Sequence, residues 1–167
     1  MSNVYRPPTP PQPVLNAGRL WAGGAATALV AALIAVVGIL FGRSVFDIEV
    51  LAPKGDGVWG DASTGWYAVG AAAAALLATA LIHLLIVTTP RPMRFFTWLV
   101  GLATVAAMLL PFTTDQSRDA RWYTAGLNLV LGVAIGSLVA GVAKSSLRPA
   151  VPQPFPSGPP PIPPQYR

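Results

Sequence analysis

The chain has 167 residues and a mass of 17.4 kDa; 53% of its residues are apolar, 10% are charged, and its formal net charge is +5. Too little polar surface is available to disperse such a chain in water, which excludes an ordinary soluble domain and makes the bilayer its solvent. With no Cys it has no disulfide, no thiolate metal site and no Cys nucleophile. Its basic residues are scattered rather than gathered on an aromatic-interleaved face, so no nucleic acid is expected as a partner.

Residues 1–18 are polar and rich in proline (Pro7, Pro8, Pro10, Pro11, Pro13), a composition that buries no core and predicts a disordered tail. An apolar stretch over about 19–41 follows, long enough as a helix to span hydrocarbon and too long for a signal-peptide core, so it is read as a retained span. Residues 43–61 form a loop broken by Pro53, Gly55 and Gly57, and Asp61 stands where an N-cap belongs for a second span over about 62–87. Thr88, Thr89, Pro90, Arg91 and Pro92 force a tight turn into a third span over about 93–110, which Pro111 ends. A short polar loop over 113–121 leads to a fourth span over about 122–142, and residues 144–167 make a second Pro-rich tail. The domain organisation is thus a four-helix transmembrane region over 19–143 between two disordered tails: an all-α integral membrane bundle.

All six acids (Asp47, Glu49, Asp56, Asp61, Asp115, Asp119) fall in the two loops between spans one and two and spans three and four. Basic residues near the spans number seven on the tail side (Arg6, Arg19, Arg91, Arg94, Lys144, Arg148, Arg167) and four on the loop side (Arg43, Lys54, Arg118, Arg121), which predicts both termini in the cytoplasm. Trp and Tyr cluster at both expected interfaces, with Trp21 and Trp98 on one side and Trp59, Trp66, Tyr67, Trp122 and Tyr123 on the other.

No charged residue lies inside any predicted span, which argues against a proton or ion pump. His83 is the one titratable group left, with Thr79 a turn earlier on the same face; a neutral imidazole bonded to Thr79, a backbone carbonyl or water is preferred over a proton step. Asn128 is the one amide within a span, and Gly132, Gly136 and Ala140 continue its line at steps of four, forming a helix-packing stripe. Similar lines occur in span one (Gly24, Ala28, Ala32) and span two (Gly70, Ala74, Ala78), so packing within the bundle is preferred over a dimer or partner interface. PxxP spacings such as Pro8 to Pro11 are read as solvated tethers rather than ligands. No hydrolytic triad and no phosphate-cradling glycine loop is present. No catalytic, cofactor or metal site is therefore expected.

A set of local phrases runs through the chain: Arg19 to Gly24; Val50 to Pro53 and Gly60 to Ser63; His83 leading to Thr88 through Pro92; Leu110 to Asp115; and Asn128 leading to Gly132, Ala134, Ile135, Gly136 and Ser137. In this order they resemble a family of small four-span membrane proteins of actinobacteria known only as a domain of unknown function, over roughly residues 17–143. The resemblance implies the plasma membrane of a Gram-positive, high-GC bacterium and carries over no activity or ligand residue. The expected function is a multi-pass structural or accessory component of the cell envelope, not an enzyme, partnered by lipid and by a second copy or another envelope protein. The alternative is a subunit of a small transporter or channel for an uncharged or amphipathic solute, lined by His83, Asn128, Thr27, Thr79 and Thr104.

Overall fold

A computed structural model describes residues 14–46, 62–113 and 117–148. Four helices account for nearly all of them: α1 (Ala17–Phe46), α2 (Ala62–Thr88), α3 (Pro92–Leu109) and α4 (Arg118–Ser146), with a 3₁₀ turn at Leu110–Thr113. Each is long and apolar enough to cross a membrane, which bears out the all-α class and the expectation of four helices able to span. Asp61 as a cap, the acid-rich centre of the first loop and residues 1–13 and 149–167 of the Pro-rich tails lie outside the described residues, whereas 14–18 and 144–148, read from the sequence as disordered tail, belong to short strands and helix ends.

The first and fourth helices run past the sequence reading at both ends, α1 over Ala17–Phe46 against about 19–41 and α4 over Arg118–Ser146 against about 122–142. α1 runs to Phe46 because Arg43 and Ser44 are tolerated in a helix outside hydrocarbon, the cost of Gly42, about 1 kcal/mol, does not by itself end the helix, and the first proline comes only at Pro53. α4 starts at Arg118 because Ser117 caps it, its hydroxyl accepting from the Ala120 amide at 3.4 Å, with Asp119 in the positive first turn. By contrast, the α2–α3 turn falls where the prolines put it: Pro92 occupies the first turn of α3, where its missing N–H is no loss.

At the other end Asn16 caps α1, its side chain accepting from the Arg19 amide at 3.0 Å, and the Asn16 amide donates to the Ser146 carbonyl at 3.0 Å. Val14–Leu15 (β1) pairs antiparallel with Leu147–Arg148 (β2), so residues on both sides of the bundle clasp each other. This "clasp end" also holds the α2–α3 turn. The opposite "loop end" holds the α1–α2 and α3–α4 connections.

Where α1 meets α2 the buried side chains are mostly small, with larger ones such as Leu20, Ile39, Ile82 and Phe96 filling the core beside them. Ala28, Ala31 and Ala35 of α1 and Ala71, Ala75 and Ala78 of α2 are buried, whereas Leu29, Leu33, Val37, Leu77 and Leu84 are exposed. Lipid tails are as apolar as Leu, so burying Leu between helices gains little; small residues allow close backbones instead. Gly24 sits against the Thr79 side chain, Gly23 against Val142 and Gly38 against Leu127, contacts that draw α1 onto α2 and α4. α3 packs mainly on α4, and α2 and α3 touch least of the neighbouring pairs. A seam therefore stays open between α2 and α3.

Candidate functional site

The open seam begins with a backbone defect. Pro111 has no N–H, so the carbonyl of Ala107 four residues earlier lacks its helical donor, while the Leu110 amide is already used on Ala106. Asn128 of α4 supplies the missing donor: its Nδ2 donates to the Ala107 carbonyl at 2.7 Å. Its Oδ1 accepts from the Tyr67 hydroxyl of α2 in a short hydrogen bond. One amide thus ties three helices together at the loop end.

Tyr67 and Asn128 form the polar end of a groove of about 720 Å³ between α2, α3 and α4. Small residues of α2 (Gly70, Ala74, Ala78) form one wall, Val100 and Ala103 of α3 the other, and Leu131 and Ile135 of α4 lie along it. Leu77 is 70% exposed and Leu99 43%, so the groove opens sideways to the lipid rather than into an internal channel. Asn128 and Tyr67 retain hydrogen-bonding capacity: the amide carries a second N–H and the two oxygens have further lone pairs. Thr104, also lining the groove, has its hydroxyl donated to the Val100 carbonyl at 2.7 Å. A second groove of about 410 Å³, between α1 and α4, is bounded by aliphatic and aromatic side chains such as Val30, Leu33 and Phe41 and carries no comparable polar pair.

The packing stripe divides. A Cβ at Gly132 would strike Thr104, and one at Gly136 would come within 3.0 Å of Val100, so both glycines seat α3 against α4. Ala140 is partly buried against the core. On α2, Ala78 is buried in the core, whereas Ala74 is exposed and Gly70 has nothing within 4 Å of an added Cβ, so the line is open to the groove at its Gly70 and Ala74 end. The glycines of α4 pack within the bundle, while the α2 line is left without a protein neighbour at Gly70.

His83 and Thr79 do not bond to each other. Thr79 is fully buried and donates to the Ala75 carbonyl at 2.9 Å, and His83 Nδ1 accepts from the Trp21 indole N–H at 3.0 Å, joining α2 to α1. The rings meet edge to face, with centroids 6.3 Å apart. Of the five residues suggested as a conduit lining, only Asn128 and Thr104 reach the groove; Thr27 is buried with its hydroxyl on the Gly23 carbonyl, and His83 lies toward the clasp end.

Other loop-end polar groups were missed in the sequence. The Tyr123 hydroxyl donates to the Gly38 carbonyl at 2.6 Å, and Phe112 stacks edge-on against Trp122 at 5.1 Å, locking the 3₁₀ turn to α4. The hydroxyls of Thr64 and Thr124 and the Nε of Arg121 are buried without hydrogen-bond partners. Among the described residues, no group of three or more His, Cys, Asp or Glu could hold a metal.

A model of a family of unknown function, DUF6069, matches residues 15–145. The chain belongs to this family. The match takes in α1, α2, α3, the groove and α4 up to its penultimate residue, and stops short of Leu147–Arg148 of the clasp. No curated protein and no solved structure matches the chain.

Proposed function

We propose that this DUF6069 protein is an accessory component of the cell-envelope membrane, not an enzyme, and that the groove between α2 and α3 is the surface through which it works. The observation that carries this reading is the division of small-residue faces: those of α1 and α4 are spent on neighbouring helices, and that of α2 at Gly70 and Ala74 is left for a guest from the bilayer. The protein sits in the plasma membrane of an actinobacterium with both tails in the cytoplasm. The pairing of both described ends at the clasp supports a common side for the two tails, and the seven-to-four bias of basic residues supports the cytoplasm as that side.

Native mass spectrometry of the protein, extracted gently from its own membrane, tests this reading. A guest retained by the wild type and lost in Gly70→Leu is the expected result. A chain with no guest, or one whose guest survives Gly70→Leu unchanged, overturns it.

A further inference from the structure

Taking the groove as the working surface, we infer that its occupant is a glycerolipid with an uncharged head, one acyl chain along the groove and its hydroxyl or ester oxygens at Tyr67 and Asn128. Four observations lead there. The volume, about 720 Å³, lies within the range of sites that hold a single small ligand, and such sites pair an apolar wall with a few convergent polar groups. The walls have that composition, with the polar pair confined to one end and only Thr104 adding a hydroxyl along the way. From Trp66 to Leu81 the α2 side runs roughly 22 Å, more than the ~15 Å of one leaflet's hydrocarbon, so a chain entering from the loop side can lie in it for its whole depth.

Charge is the fourth observation. None of the residues lining the groove is ionisable at neutral pH, so a charged head would meet no counter-charge there. Asn128 and Tyr67 offer both a donor and acceptors, which a glycerol hydroxyl and an ester carbonyl can satisfy together. Asn128 lies about 15 Å along α4 from its start, deeper than a head group and suited to the backbone of the lipid.

Dioleoylglycerol titrated into the full chain in detergent, followed by native mass spectrometry, tests the inference, with dioleoyl phosphatidylglycerol and hexadecane as comparators. One dioleoylglycerol per chain is expected, bound about tenfold more tightly than either comparator and about tenfold more tightly than by Tyr67→Phe. Gly70→Leu, at a position open to lipid, abolishes binding without unfolding the bundle, and Gly141→Leu, equally open but away from the groove, leaves it intact. Equal binding of hexadecane or of the anionic lipid overturns the inference, as does binding that persists in Gly70→Leu. A second copy of the chain or a partner helix displaced by Gly70→Leu overturns the lipid occupant yet leaves the groove as the working surface.

Discussion

Asn128 is where one residue does most for this molecule, because it answers a vacancy that Pro111 creates. Replacing it with Leu leaves the Ala107 carbonyl and the Tyr67 hydroxyl unpaired, and a loss of about 2 kcal/mol is expected in reversible unfolding. Pro111→Ala returns an N–H to the Ala107 carbonyl, so the double variant should recover part of that loss, and a double-mutant cycle measures the coupling. Simple additivity of the two changes would contradict the assignment. Thr124 presents the opposite case, a fully buried hydroxyl with no partner, so Thr124→Val should be neutral or stabilise by up to about 1 kcal/mol in the same assay. At His83 the hydrogen bond to Trp21 lies near the exposed clasp-end surface; His83→Leu should cost under about 1 kcal/mol, since the freed indole N–H can turn to interfacial water.

Helices meet here through glycines at some crossings and not at others, which gives the element scale its own test. Gly132→Leu drives a side chain into Thr104 and should pry α3 from α4, costing about 3 kcal/mol or preventing folding, whereas Gly141→Leu should be silent. Gly136→Leu should fall with Gly132→Leu and misfold rather than release a folded monomer, because Val100 of the same chain fills that contact. Thermal unfolding monitored by circular dichroism separates these outcomes. The ends of α2 and α3 were legible because Pro90, Pro92 and Pro111 act through local covalent geometry. The start of α4 was not: Arg118 and Arg121 looked like loop, yet charges do not stop a helix outside hydrocarbon once Ser117 caps it. Asn128 stood out as the polar residue of its span, but its tie to Ala107 depends on a proline in another helix, and the Trp21 partner of His83 lies 62 residues away. Such pairings come from tertiary geometry and leave no periodic signal.

As a whole, the molecule is a clasped bundle with its larger groove at the α2–α3 seam and a smaller, apolar one between α1 and α4. The charge bias predicts its orientation, and a chain without Cys suits labelling: Ser157→Cys should react with a membrane-impermeant maleimide only after permeabilisation, and Lys54→Cys in intact cells. The reverse pattern would invert the topology and move the polar end of the groove to the cytoplasmic leaflet. The most direct test of the open seam is site-specific photo-crosslinking in the native membrane, with the reactive group at Leu77 in the groove or at Leu29 on a lipid face of α1, both strongly exposed. A discrete adduct at Leu77 with only diffuse bulk-lipid labelling at Leu29 is the predicted result. Equal, featureless labelling at both positions would mean that the groove holds no preferred guest and would contradict the account.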